Sequence, residues 1–276
     1  MRKTVFIGLL LACLCFVPFM YSCKDEEKDV LPAQVDVLKI GKADCIVINT
    51  GTKIVMIDTG EKENLDDVRD FMTERGYKKV DTLILTHFDK DHIGGAKEII
   101  EEYGVSTVIE STASSDSEYF HEYHLLLSQL GISAMRLSQD YTFQIDGYTF
   151  FVGVPMKKKY EDKKDNNSSL VVKMEHKDFK LLFCGDAEEE RLAEIIDTCA
   201  GEYDFVKLPY HGNYLENYSE LFDKIKMKYA VITDSKKNPA DTRTLDLLAR
   251  EGIEVFETKN GTVSLFRDGQ AVKVEQ

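Results

Sequence analysis

Leu83-Ile84-Leu85-Thr86-His87-Phe88-Asp89-Lys90-Asp91-His92-Ile93-Gly94-Gly95 places four candidate metal ligands, His87, Asp89, Asp91 and His92, within six residues. The apolar run before them predicts a β-strand ending at Thr86, which delivers the ligands into a loop at its carboxyl edge. Gly94 and Gly95 permit a tight turn, and Ala96 to Tyr103 reads as the helix beyond it. Imidazole and carboxylate together suit zinc, iron or manganese, and the share of oxygen tilts the choice towards harder metals. A solvated polar loop is the plain alternative; the strand and helix that frame the stretch argue against it.

Upstream, Val35 to Ile40, Cys45 to Ile48 and Lys53 to Ile57 read as strands. Asp44, in the turn Gly41-Lys42-Ala43-Asp44, is expected to orient that turn through its own backbone amides. The third strand ends in Asp58-Thr59-Gly60, and Asn64 to Arg75 has helical spacing, with Gly76 as its stop. Downstream, Val105 to Ile109 is a strand and Glu118 to Leu130 a helix carrying His121 and His124, read as an exposed polar pair. Met135 to Leu137, Tyr141 to Ile145 and Tyr148 to Val154 are assigned to a second sheet. The basic stretch Lys157 to Lys164 is either a solvated loop or a local attraction for an anionic substrate. Leu181 to Cys184 is a buried strand delivering Gly185-Asp186-Ala187, where Asp186 suits a metal ligand or a helix N-cap. Val206 to Pro209 delivers Tyr210-His211-Gly212. Tyr229 to Thr233 is a further strand, Thr242 to Arg250 a helix, and Val255 to Thr258 with Thr262 to Phe266 a closing hairpin.

The ligand stretch resembles the signature loop of the metallo-β-lactamase superfamily, H-x-H-x-D-H followed by glycine, with Asp89 where the second histidine stands. That departure is similar to the branch found in the extracytoplasmic metallo-β-lactamase-like domain of ComEC-type DNA-uptake proteins. The resemblance runs from about Val35 to Val272. It implies an α/β fold, an αββα sandwich of two mixed β-sheets with outer helices. It also implies two divalent metal ions, zinc or manganese: His87 and Asp89 on one, Asp91, His92 and His211 on the other, and Asp186 bridging. Asp58 is then hydrogen-bonded behind the metal loop, fixing an imidazole as metal ligands require. Asn166 and Ser169 match the branch's N-x-x-S-L-V block and are expected at the substrate. No histidine stands in that block, so water or oxygen would complete the first metal position. Tyr210 replaces the first histidine of a usual His-His-Gly and either hydrogen-bonds a substrate oxyanion or packs. Asp91 is expected to join proton transfer besides ligating. The implied chemistry is hydrolysis by a metal-activated water of a phosphodiester or other anionic ester. A β-lactam or thioester hydrolase is the alternative within the fold, and a non-catalytic surface lipoprotein with a metal-stabilised scaffold is the alternative outside catalysis.

Composition bounds the partners. The net charge of −14 disfavours long duplex nucleic acid, leaving a small anionic substrate or short oligonucleotide. Arg2-Lys3, the apolar run Thr4 to Met20 and Ser22-Cys23 read as a lipoprotein signal peptide over residues 1–22. Residues 23–33 form a polar tether and 34–276 the hydrolase domain, about 250 residues that fit one α/β unit. Of six cysteines, Cys45, Cys184 and Cys199 remain in the body, without metal-type spacing. The expected location is extracytoplasmic, on the periplasmic or cell-surface side, with a lipid on Cys23 holding the chain to the membrane. Cys23→Ser should therefore move the protein from the membrane to the soluble fraction and abolish the mass of the lipid; unchanged fractionation and mass would remove the assignment.

Overall fold

The computed structural model describes residues 32–160, 165–268 and 271–276. The segment read as a signal peptide, Cys23 and nearly all of the expected tether lie outside them. In chain order the first half forms β1 (Gln34–Val37), β2 (Ile46–Asn49), β3 (Ile54–Ile57), α1 (Leu65–Glu74), β4 (Thr82–Leu85), the single turn α2 (Lys90–Ile93), α3 (Ala96–Tyr103), β5 (Thr107–Ser111), α4 (Glu118–Leu130) and β6 (Met135–Leu137). The second half forms β7 (Tyr141–Ile145), β8 (Tyr148–Gly153), β9 (Val171–His176), β10 (Phe179–Phe183), α5 (Glu189–Thr198), β11 (Gly201–Lys207), α6 (Tyr218–Lys224), β12 (Ile225–Ile232), α7 (Thr242–Arg250), β13 (Glu254–Glu257), β14 (Val263–Asp268) and β15 (Ala271–Glu275).

Two mixed sheets result, ordered β15-β14-β1-β2-β3-β4-β5-β6 and β13-β12-β11-β10-β9-β8-β7. Their facing sides share one core, in which Ile48, Ile57 and Ile84 meet Phe150, Leu181 and Phe205. A second cluster packs α1, α3 and α4 onto the outer face of the first sheet, and a third packs α5, α6 and α7 onto the second. The layers are thus α, β, β, α, as expected. Strands β3 and β4 are buried at every position because helices cover one face and a sheet the other.

Three readings of the sequence are corrected. Strand β6 belongs to the first sheet, parallel to β5, because α4 carries the chain over as a crossover. Three residues are too few to display a face. The 255–258 and 262–266 segments do not pair: β13 lies parallel to β12, whereas β14 passes to the first sheet beside β1 and forms its hairpin with β15. His124 is not simply exposed, since its Nε2 lies 3.2 Å from buried Glu110.

The parallel strands β3, β4, β10, β11 and β12 all end at one rim of the sandwich, where loops from both sheets converge. Open α/β sheets place ligands beyond such carboxyl ends. The loops are stitched by backbone: Asp44 N donates to Asp91 O (3.0 Å), Thr59 N to His92 O (2.7 Å), and Leu170 N crosses from the second sheet to Thr86 O (2.9 Å). Gly94 has ordinary helical backbone, yet a Cβ there would stand 2.8 Å from Lys62 N and 2.9 Å from Glu61 Cα. Gly94→Ala should cost about 1–3 kcal/mol by overpacking. Urea unfolding measures this, and an unchanged midpoint would show that the 59–62 turn yields freely.

Candidate metal centre

Strand β4 ends on Leu85; Thr86 follows it, and the next residue, His87, is fully buried. Its Nδ1 lies 3.1 Å from Thr86 Oγ1, which turns Nε2 into the rim. One turn on, His92 is also fully buried, and its Nδ1 is held 2.7 Å from Asp58 Oδ2. From the second sheet, β11 leads into Pro209–Gly212, where His211 Nδ1 lies 2.9 Å from Thr233 O and 3.0 Å from Thr233 Oγ1. Each imidazole is therefore fixed by its outer nitrogen, and all three Nε2 atoms are buried without a well-aligned hydrogen-bond partner. Buried polar atoms left in that condition cost about 1–3 kcal/mol each, so three converging ones call for a ligand.

Carboxylates complete the group. Asp186 follows β10 and offers both oxygens: Oδ2 lies 2.9 Å from His211 Nε2 and Oδ1 3.5 Å from His92 Nε2. It does not cap α5, whose N-cap is Glu188. Asp91 Oδ2 lies 3.3 Å from His211 Nε2, and Asp89 Oδ2 lies 3.7 Å from His87 Nε2. His87 and His92 stack with ring centroids 4.0 Å apart. Of the six residues proposed from sequence as ligands, His92, His211, Asp186 and Asp91 are tied together by these distances, and His87 with Asp89 adjoins them through the His87–His92 ring contact. Backbone strain concentrates there too, with Asp58, Tyr210 and His211 at φ values of 57°, 51° and 52°.

Two charged residues facing this group were not found from sequence. Lys207, at the end of β11, is wholly buried and ion-paired to Asp44, with Asp186 Oδ1 at 3.5 Å. Asp44 is not merely a turn residue, because its carboxylate reaches across to Lys207 rather than to its own backbone. Proximity alone groups Asp44 with His92, Asp186 and His211 as possible ligands. However, it faces Nδ1 of His92 (4.0 Å) and Nδ1 of His211 (3.6 Å), behind the rings, so orientation favours a supporting role. The signal in the sequence was Lys207 itself, a lone charge in an otherwise apolar strand end.

Other expectations shift as well. Ser169 is fully buried, and its hydroxyl accepts from Asp186 N (3.1 Å). It positions the carboxylate and presents no surface to a substrate. Asn166 is almost buried and spends its amide on Glu188 (2.7 Å). Tyr210 is half-buried, packs its ring on the outer core of the second sheet, and carries Lys42 above it at 5.8 Å. Beside Asp89 stands Asp165, whose carboxyl burial and the Asp89 charge push upwards in pKa while His87 pulls it down.

The electrostatics are those of a cation site. Burial opposes the charge of Asp186, but His211, His92 and Lys207 hold it well below the usual carboxylate range. Asp91 is likewise lowered, against burial, by His211 and His92. Burial alone would depress both imidazoliums. The carboxylate of Asp186, followed by Asp58 and Asp44, instead raises His92 well above its ordinary value, and Asp186 with Asp91 raises His211 to about 9. Without metal, protons occupy the positions that a metal would take. Orphaned Nε2 atoms, fixed outer nitrogens and surplus carboxylate together fit divalent ions.

The fold and this donor set define a metallo-β-lactamase-type hydrolase scaffold, and the chain belongs to the metallo-β-lactamase superfamily, whose sequence model matches residues 39–233. It is similar to ComE operon protein 3 of Bacillus subtilis (strain 168), 27% identical over 279 residues that cover 93% of this chain and 35% of that protein. The chain therefore spans about a third of the length of this curated relative. Among solved structures, the metallo-β-lactamase fold protein YhfI from Bacillus subtilis superposes with a TM-score of 0.56 at 14% identity, covering 88% of this chain and 99% of that one. Igni18, a metallo hydrolase from Ignicoccus hospitalis, gives 0.52 at 16% identity, covering 85% and 98%.

The raised histidines set a pH dependence for the metal-free protein. A group whose folded pKa exceeds its unfolded value, about 6.5 for histidine, stabilises fully below that value and loses the contribution as pH rises. For His211 the loss runs from about 6.5 to about 9. Metal-stripped protein should therefore have a higher urea midpoint at pH 6 than at pH 9, with a smaller difference in His211→Asn. Metal affinity should move oppositely over the same window, because the metal displaces those protons. A pH-independent midpoint would mean that His211 is neutral in the empty site.

Proposed function

We propose that this chain is an exported, membrane-tethered metallohydrolase that uses two divalent ions to cleave a phosphodiester or another anionic ester. The observation that carries the reading is the set of three buried imidazoles, each turned by its Nδ1 so that Nε2 faces a carboxylate: Asp89 for His87, Asp186 for His92, and Asp91 with Asp186 for His211. On this reading His87 and Asp89 would hold one ion, Asp91, His92 and His211 would hold the other, and Asp186 would serve both. When bound, such a pair supplies Lewis acidity and a water acidic enough to react near neutral pH.

The chain's own groups do the remaining work. Asp58 and the Thr233 carbonyl keep His92 and His211 in the tautomer and direction that present Nε2. Lys207 neutralises Asp44 behind the rings, so the group stays compact despite its acidic surplus. Asp91, with its carboxyl held low, is suited to ligation more than to storing a proton. Asp89 in place of a histidine makes the first position richer in oxygen, which suits manganese, whereas the second keeps two imidazoles and can hold zinc.

The test is reconstitution of metal-free protein while following hydrolysis of bis-p-nitrophenyl phosphate. Mn²⁺ should restore more activity than Zn²⁺. Asp186→Ala should lose metal and rate together, by about 100-fold, whereas Asp89→Ala should keep one ion. Full activity at one equivalent of Zn²⁺ with no gain from Mn²⁺ would show the oxygen-rich position to be idle. No hydrolysis with any divalent ion would sink the enzymatic reading.

A further inference from the structure

Beside the ligand group, a cleft runs between the loop after β5 and the loop after β8. It has two adjoining lobes of about 420 and 500 Å³, and Thr112, Lys158, Tyr160 and Ser168 line both. Asp165 and Ser168 stand on its wall. Asp165 stands near enough to Asp89 and His87 to feel both charges, and Ser168 precedes the residue that holds Asp186. The cleft therefore opens on the Asp89–His87 side of the site.

The basic wall of this cleft is not a free loop. Met156 N donates to Glu194 Oε2 (3.0 Å), and the Tyr160 hydroxyl donates to the same carboxylate (3.0 Å). Glu194 is nearly buried and locked to Arg191 Nη1 at 2.8 Å, while Arg191 also donates to Ser169 O and Gly153 O. One buried ion pair on α5, the helix that follows Asp186, thus pins both ends of residues 156–160 and the ligand block together. Lys157 is spent on Glu190 (2.6 Å). Between the anchors, Lys158 and Lys159 are exposed, and among the described residues no carboxylate pairs with either. In a chain with 49 acidic and 35 basic residues, two unspent ammonium groups at a fixed place outnumber the one carboxylate, Asp165, among the residues lining their lobe. Opposite them the wall carries the small hydroxyls of Thr112 and Ser114, donors suited to tetrahedral oxyanions.

We propose that this cleft is a phosphate subsite, in which Lys158 and Lys159 take a second phosphate of the substrate, next to the one being cleaved. The inference rests on the hydrolase reading above and narrows its substrate to short molecules with more than one phosphate. A mononucleotide unit bearing a further phosphate fits that description.

Two chromogenic substrates isolate the second phosphate: thymidine 5′-(p-nitrophenyl phosphate) with and without a 3′-phosphate. With metal-loaded full-length protein the 3′-phosphate should lower KM about tenfold, the effect of a charge-assisted contact. Lys158→Ala/Lys159→Ala should erase that difference, and Lys158→Arg/Lys159→Arg should restore it. Equal KM for both substrates in the wild type, or a difference that survives in the alanine variant, would overturn the subsite while leaving the hydrolase reading intact. If neither substrate is cleaved, the hydrolase reading fails, and calorimetry decides the cleft separately. Thymidine 3′,5′-bisphosphate should then bind about tenfold tighter than thymidine 5′-monophosphate, in the wild type but not in the alanine variant. Equal binding in the wild type would reject the subsite.

Discussion

The carboxylate of Asp58 stands where the last residue of a buried strand meets the loop that carries the ligands. It accepts from Thr86 N (2.8 Å), Thr86 Oγ1 (2.7 Å) and the His92 ring (2.7 Å). To reach all three, Asp58 adopts a left-handed backbone, a cost of about 1–3 kcal/mol for such a residue. Hydrogen bonds to a charged group contribute about 1.5–3 kcal/mol each, so three of them outweigh the strain. The consequences spread from there. Thr86 passes its carbonyl to Leu170 of the opposite sheet, and Thr59 returns two hydrogen bonds to His92 O. One carboxylate thereby fixes a ring direction and the distance between the two halves of the sandwich.

Charge is the second constraint. Asp44, Asp58 and Asp186 lie buried within a few ångströms of one another's partners, and Lys207 is the buried ammonium among them. Burying an ion pair does not by itself stabilise a fold, because desolvation offsets the attraction. Removing one partner, however, strands the other. Lys207 therefore reads as a device for keeping Asp44 ionised and turned away from the Nε2 face. That leaves the two oxygens of Asp186 to face His92 and His211 on separate sides. A carboxylate so placed can serve two ions at once.

How much of this could be read from the chain follows from the range of each interaction. The grouping of His87, Asp89, Asp91 and His92 was legible because strand, loop and turn are local and these candidate ligands fall within six residues. Asp186 and His211 were legible as acid or imidazole beside glycine at strand ends. The pairing of Asp44 with Lys207 was not, since it joins residues far apart in sequence and Asp44 also suits a turn. Sheet membership failed for the same reason: a short strand such as β6 shows apolar character without showing which sheet receives it, and β13 and β14 are adjacent in sequence but separated between layers. The burial of Ser169 likewise depends on Gly185, whose left-handed backbone lets that loop approach within contact of Ser169 Cβ.

The distribution of exposure around the site bears on how a substrate approaches it. The imidazoles are buried, whereas the side chains of Asp89 and Asp91 keep 43% and 22% of their surface exposed. Any substrate therefore approaches across a carboxylate rim on a floor of nitrogen ligands. For an anionic ester on the reading proposed above, that rim is repulsive until cations neutralise it, and Coulomb repulsion at a few ångströms near a protein surface is worth several kcal/mol. On that reading, bound cations would offset the charge of the rim as well as supply chemistry. In the proposed subsite, the pinned lysines would act in the same sense without any ion. On the proposed reading, an acidic protein would in this way disfavour polyanions over most of its surface and still admit a small anion at a single place.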